Sequence, residues 1–204
     1  MTEPTHFYNP AEGHRLAHDP FKAIIAPRII GWISSRSASG QLNLAPYSFF
    51  QAFASLPPVI GFSSEGYKDT IRNIEETGEF VWNLATRELA DQMNRSSEPV
   101  PSEVNEFELV GLTTAPGHNV NVPHVADSPA ALECKLLQVQ RLKSLDGREI
   151  DNWLVLGQVV GVHIRSEFIR DGLFDTFGAQ PIMRAGYARD YAHIGEKFEM
   201  IRPT

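Results

Sequence analysis

The chain has 204 residues, 42% of them hydrophobic and 21% charged, with a formal net charge of -7 at pH 7. That length suits one compact domain with a proper core, and the apolar fraction is ordinary for a soluble globular protein. The acidic balance, with no Lys/Arg cluster to offset it, argues against a nucleic-acid-binding surface.

The longest apolar run, Trp153 to Ile164, is interrupted by Gln158 and His163 and is too short to span a bilayer, so no membrane association is expected. The N-terminal stretch MTEPTHFYNPAEGHRLAHDP is polar and lacks the apolar core of a secretory signal. Cys134 is the only cysteine, which rules out an intrachain disulfide and fits a reducing cytoplasm.

In chain order, residues 1–27 are weakly periodic and read as a lead-in segment covering a single domain over 28–204. Arg28–Ser35 is a β-branched run that predicts a strand, and Ser37–Gln41 a turn in which Gly40 supplies the permissive backbone. Leu44–Ala54 is the expected hairpin partner, and Val59–Ser63 a buried strand behind the Pro57–Pro58 corner. Lys68–Thr77 predicts a helix capped by Asp69 or Thr70, with Ile71 and Ile74 inward and Gly78 closing it.

Glu79–Leu84 reads as a further strand and Arg87–Arg95 as a second helix with Leu89, Ala90 and Met93 on one side. The stretch from Glu98 to Pro129 is expected to be irregular, with small elements around Asn105–Leu109 and Leu112–Thr114. Leu132, Cys134 and Leu136 alternate before the phase slips to Leu137 and Val139, the pattern of a strand with a bulge. Asp146-Gly147 signals a hairpin, and Trp153–Ile164 a central strand covered on both faces. Many strands, few helices and no βαβ repeat predict a curled or closed antiparallel sheet.

Two neighbouring segments suggest chemistry. Lys68 sits just before a helix whose first N–H groups lack partners, with Ser63, Ser64, Thr70 and Asn73 nearby, which suits a phosphate monoester. The alternative is a solvated lysine beside a capped surface helix. In NLAPYSFF (43–50), Ala45 and Pro46 leave room for a flat ring while Asn43, Tyr47 and Ser48 offer polar groups; the alternative is an edge strand bent at Pro46.

The order PRIIGWISS, LNLAPYSFF, PPVIGFSS, KDTIRNIEETGEFVWNL resembles the flavin reductase-like proteins of the FMN-binding split-barrel fold. Met93-Asn94, FELVGLT at 107–113, SPAALECKL at 128–136 and IMRAGYARDY at 182–191 extend the resemblance over most of the chain. It implies a mainly β domain with a few helices, a Greek-key-like antiparallel barrel, and a homodimer holding FMN near its subunit interface. Ser34, Ser35 and Arg36 would then line the ribityl-phosphate side. Asn43, Ala45, Pro46, Tyr47 and Ser48 would border the isoalloxazine, while Ser63, Lys68, Asp69, Thr70 and Asn73 would form or support the phosphate site. Arg184 and Tyr187 would lie near the ring.

The implied activity is hydride transfer from NAD(P)H to FMN, with electrons passing on to a monooxygenase or other redox partner. It needs no catalytic side chain and no metal, because the cofactor carries the chemistry. A flavoredoxin-type electron carrier reduced by a partner protein fits the same residues, whereas the retained Lys68–Asn73 and Asn43–Ser48 segments speak against a non-catalytic dimer that has lost FMN. Elsewhere, His14 and His18 read as surface histidines, His118 and His124 as solvent-exposed on a loop, and His163 as hydrogen-bonded in its strand. Cys134 reads as a small core residue, Glu75-Glu76 as a solvated face, and Trp32 and Trp82 as core or interface packing.

Overall fold

A computed structural model of the chain describes residues 5–203. A single 3-10 turn at Pro10–Glu12 precedes helix α1 (Phe21–Ile24) and the short strand β1 (Arg28–Ile29). Strands β2 (Gly31–Arg36), β3 (Leu42–Tyr47), β4 (Phe50–Ser55) and β5 (Pro58–Glu65) lead into helix α2 (Asp69–Thr77) and strand β6 (Glu79–Asn83). Helices α3 (Ala90–Arg95) and α4 (Glu106–Leu109) follow, then a ribbon of β7 (Thr114–Ala115) and β8 (His124–Val125). Two long strands, β9 (Ala130–Lys143) and β10 (Glu149–Ile164), precede the short strands β11 (Ile169–Arg170), β12 (Leu173–Phe174), β13 (Ile182–Arg184) and β14 (Tyr191–His193).

The fold is mainly antiparallel β. Its main sheet has seven strands in the order β3-β2-β6-β9-β10-β5-β4. Strands β3 and β4 stand at opposite ends of that order, yet only Ser48 and Phe49 separate them in the chain. The sheet therefore has to curl until its edges approach each other. The rings of Tyr47 on β3 and Phe62 on β5 lie 4.6 Å apart. Among the described residues no strand pairing joins β3 to β5, so the barrel stays open along that seam.

Inside the curl, Ile33, Phe62, Phe80, Cys134 and Val155 pack against Ile71 and Ile74 of α2, whose apolar stripe closes the barrel. A second cluster, with Ile30, Trp32, Leu44, Met93, Phe107, Val125 and Ile182, fills the other face of β2. Phe80 reaches the centre only because position 157 is glycine: a Cβ there would sit 2.5 Å from Phe80 Cζ. Gly78 ends α2 in a left-handed conformation, its N–H donating to the Ile74 carbonyl at 2.8 Å, as expected from sequence.

Several boundaries differ from expectation. Arg28–Ser35 is not one strand: β1 leaves to pair with β13, while β2 pairs with β3 and β6. Leu44–Ala54 likewise divides at Ser48–Phe49, because its halves serve opposite edges of the barrel. Helix α3 begins at Ala90, since the Thr86–Pro181 bridge and the bond from Arg87 N–H to the Gln180 carbonyl hold the preceding residues out of helix. Neither Asp69 nor Thr70 caps α2. Lys68 occupies the cap position with extended backbone and no side-chain bond.

The expected bulge is at Leu137, which faces no partner between the pairs Leu136–Gly157 and Gln138–Leu156. Strand β10 starts earlier than Trp153 and lies between β9 and β5, but its far end is uncovered, with Val162 61% exposed. His118 is exposed, as expected, and His124 only part-buried, but the loop that carries them is tied to the barrel. Their rings lie 5.4 and 4.3 Å from that of His163. Two carboxylates hold this loop on the barrel: Glu133 accepts from the His118 and Asn119 N–H groups at 2.6 Å, and Glu79 from Asn121 N–H at 2.7 Å.

Candidate functional site

The N-terminus of α2 comes to rest against β2 and β3. Period-2 alternation turns Ser35 and Asn43 toward the helix, and the helical period brings Thr70 and Asn73 to meet them. The Asn43 amide donates to Thr70 Oγ1 at 2.8 Å and to Ser35 Oγ at 3.3 Å, and Asn73 Nδ2 donates to the same Ser35 hydroxyl at 3.2 Å. All four residues are buried. This network fixes the helix start against the sheet and leaves the side-chain Oδ1 of Asn73 without a partner.

Outside the network lies a cleft of about 330 Å³, lined by Asn43, Ala45, Pro46, Tyr47, Lys68–Thr70, the 96–100 loop and Glu106. Its loop wall is anchored by Ser96, which accepts from Trp32 Nε1 at 3.0 Å and donates to the Met93 carbonyl at 2.8 Å. A smaller pocket of about 160 Å³, lined by Ile30, Pro46–Ser48, Asn94, Arg184 and Tyr191 among others, shares Pro46, Tyr47 and Ser97 with the cleft. The two form one groove running from the end of α2 to Arg184.

Of the residues picked from sequence, Asn43, Ala45, Pro46, Tyr47, Lys68, Asp69 and Thr70 line the cleft, and Ser48 and Arg184 the adjoining pocket. Ser35 and Asn73 stand behind them as supports. Asp69 is turned aside, pairing with Arg72 at 2.5 Å and accepting from Ser102 Oγ at 3.0 Å.

Four residues lie elsewhere. Ser34 points to the opposite face of β2 and donates to the Pro123 carbonyl at 2.8 Å, and Arg36 shares that face. Ser63 lines another, largely apolar pocket with Phe49, Phe53 and Leu154, which meets the groove only at Ser48. Tyr187, on the outer turn, packs near His18 with ring centroids 5.6 Å apart. The groove is also lined by Glu106, Asn94, Tyr191 and the 96–100 loop, which were not among the residues picked from sequence. Ser64, on the inward face of β5 with the buried Phe62, does not line the groove, and its hydroxyl donates to the Gly66 carbonyl at 2.9 Å.

Burial dominates the electrostatics. Tyr47 Oη is sealed from solvent without a hydrogen-bond partner, near the hydroxyls of Thr70 and Ser64. Burial pushes its pKa up to about 12, against a smaller opposite pull from those hydroxyls. Glu106 accepts from Leu44 N–H at 3.0 Å, and burial raises its pKa. Burial, then the neighbouring charge of Arg184, lowers the pKa of Arg28. These two arginines are direct partners across β1 and β13, and neither forms an ion pair among the described residues. The groove thus has a free lysine at a helix start at one end and a fixed guanidinium at the other.

Comparison with known proteins identifies the family and the fold. Residues 25–181 match the family model described as flavin reductase like domain. An uncharacterised protein of Deinococcus radiodurans is 36% identical, the match covering 98% of this chain and 90% of that one. Nitrilotriacetate monooxygenase component B from Bacillus cereus superposes with a TM-score of 0.88 at 30% identity, covering 98% of this chain and 100% of its own. A protein with a split barrel domain from Shewanella frigidimarina gives a TM-score of 0.79 at 22% identity, covering 90% of each chain, a likeness of fold.

Proposed function

This chain belongs to the flavin reductase-like family, and from that premise we propose that it is an NAD(P)H-dependent oxidoreductase that seats FMN in the groove. The observation that carries the reading is the continuity of that groove, from the unpaired N–H groups of α2 past Asn43–Tyr47 to Arg184. Its donors suit the cofactor. Lys68 forms no ion pair among the described residues and stands where the helix's positive end favours a phosphate. Thr70 and Asn43 hold that corner in place, and Ala45 and Pro46 offer a flat wall without long side chains.

FMN, when bound, accepts hydride from a reduced nicotinamide and passes electrons onward. The chain's own task is to orient and to supply charge. Arg184 is held by bonds from Nη1 to Tyr191 Oη at 3.1 Å and from Nη2 to the Ala188 carbonyl at 2.8 Å. A guanidinium fixed in advance stabilises negative charge developing beside it. No side-chain nucleophile or proton donor is required. Ser34, Arg36, Ser63 and Tyr187 stand outside this groove and have no part in the seat we propose.

A homodimer is part of the same reading. Phe53, Leu56, Leu137 and Val162 are each more than half exposed, more large apolar surface than strands β4, β9 and β10 and the turn after β4 would leave to water in an isolated subunit. A cytoplasmic setting fits the lone, buried Cys134. The likeness to a monooxygenase component B supports a partner oxygenase as the acceptor of the electrons.

The test is an absorbance spectrum of the purified protein with FMN, followed anaerobically after NADH and then NADPH. Bleaching of the visible flavin band establishes the reductase and its donor. A bound flavin that stays oxidised points to an electron carrier of the flavoredoxin kind. No flavin binding overturns the assignment of the groove.

A further inference from the structure

Beyond Arg184 the groove opens into a second, larger pocket of about 590 Å³ between α3 and the β13–β14 hairpin. Its floor is apolar, from Met93 and Ile182, and Tyr191 forms one wall. Three arginines line it, Arg87, Arg184 and Arg189, against a single lining carboxylate, Asp91. None of the three forms an ion pair among the described residues. In a chain of net charge -7, three uncompensated guanidinium groups around one cavity stand out from the background.

The guanidinium of Arg184 is fixed, while Arg87 and Arg189 stand exposed on backbone that is held in place. Arg184 stacks over the Tyr191 ring at 4.7 Å, and its Nε is buried with no partner. Arg87 is held by its backbone bond to the Gln180 carbonyl at 3.0 Å. Arg189 sits on a turn closed by bonds from Ala185 N–H to the Asp190 carbonyl and from Tyr187 N–H to the Asp190 carboxylate, at 3.0 and 2.9 Å. Planar guanidinium forks of this kind match the oxygens of carboxylates and phosphates. The volume falls in the usual range for small-molecule sites.

We propose that this pocket binds a small organic molecule bearing a carboxylate or phosphate, its oxyanion on Arg87, Arg184 and Arg189 and its body against Met93, Ile182 and Tyr191. Its position beside the flavin ring rests on the reading above, and makes the anion the handle by which a redox partner molecule is oriented. Two sources share that chemistry: the phosphates of a nicotinamide nucleotide, and a carboxylated acceptor.

The experiment is calorimetric titration of the full chain, with and without FMN, using ADP-ribose for the first source and benzoate for the second. Benzamide is the uncharged control. At least one anion should bind, benzamide more weakly than benzoate. The double substitution Arg87→Gln with Arg189→Gln, at two exposed positions away from the FMN seat, should weaken the anion about tenfold or more while leaving FMN affinity unchanged. Preference for ADP-ribose assigns the pocket to the nucleotide, and preference for benzoate to an acceptor. Binding of neither anion, or equal binding to the double variant, overturns the inference. Because the titration is also run without FMN, loss of flavin binding sinks the flavin reading and leaves this answer standing.

Discussion

His163 Nε2 lies 2.5 Å from Oε1 of Glu133, a carboxylate wholly buried in β9. The same carboxylate accepts two backbone N–H groups of the 117–125 loop, so one side chain joins strand, loop and imidazole. Hydrogen bonds from its partners outweigh burial and hold its pKa below the usual carboxylate range. Glu133→Gln would set an amide N–H against a backbone N–H and remove the charge. We expect a loss of about 2 kcal/mol, on the scale of hydrogen bonds to charged groups. In a chain of this size that is a fall of about 4–8 °C in Tm. An unchanged melting curve would mean that the loop is held by other contacts.

The imidazole beside this pair sets a pH dependence. Burial is the largest effect on His124 and, with the neighbouring His163 and His118, lowers its pKa below the ordinary histidine value despite opposing pulls from the Val125 carbonyl and Glu133. A histidine that charges less readily folded than unfolded favours the folded state when neutral. Its contribution is complete above about pH 6.5 and is lost as pH falls from there through the lower folded value. Glu133, with its depressed pKa, acts in the same direction at more acid pH, as it nears the ordinary carboxylate range. Urea midpoints should therefore drop between about pH 7.5 and pH 5. His124→Asn, which keeps a polar group near the Val125 carbonyl, should flatten the upper part of that slope. An identical slope in the variant would assign the dependence to other groups.

Lys68 tests the flavin seat directly. It is exposed, so it contributes little to folding, and its charge at the start of α2 is free for a phosphate. Lys68→Ala should raise the Kd for FMN about tenfold, the low end for a charge-assisted bond, with Tm unchanged. Quenching of flavin fluorescence on titration measures it. Riboflavin, which has no phosphate, should bind wild type and variant alike. Equal FMN affinity in the two proteins would remove the phosphate from this corner.

How much of this was legible in the sequence follows from what each pattern encodes. The Leu137 slip was readable because a bulge changes the alternation of the strand that carries it. The inward stripe of α2 and its Gly78 stop were local signals of the same kind. The break at Ser48–Phe49 was not, since only barrel closure, a long-range event, requires the chain to change edges there. Among site residues, motif matching took Ser34 together with Ser35 and chose Ser63 over Ser64. The pleat separates each pair onto opposite faces, and alternation against Ile33 and Phe62 tells which member of each pair, Ser35 and Ser64, faces inward. Asn94, Tyr191 and the 96–100 loop reach the groove from distant parts of the chain, and no local pattern announces that.

Gly157 and Phe80 offer a test of the barrel interior that leaves the groove untouched. In a strand, replacing glycine by alanine ordinarily gains stability, by roughly 0.5–1 kcal/mol in an open position. At position 157 the added Cβ would fall 2.5 Å from Phe80 Cζ and 3.2 Å from Cys134 Cβ, both in the packed centre of the barrel. Overpacking of that kind costs about 1–3 kcal/mol, so the sign should reverse and Gly157→Ala should be destabilising. Trimming the obstruction supplies the control. Phe80→Leu alone opens a cavity and also destabilises, but in combination the methyl added at position 157 occupies part of the space that the ring vacated. The double variant should therefore be more stable than the two single losses predict when added. Strict additivity in urea unfolding would show that the ring and the glycine do not meet.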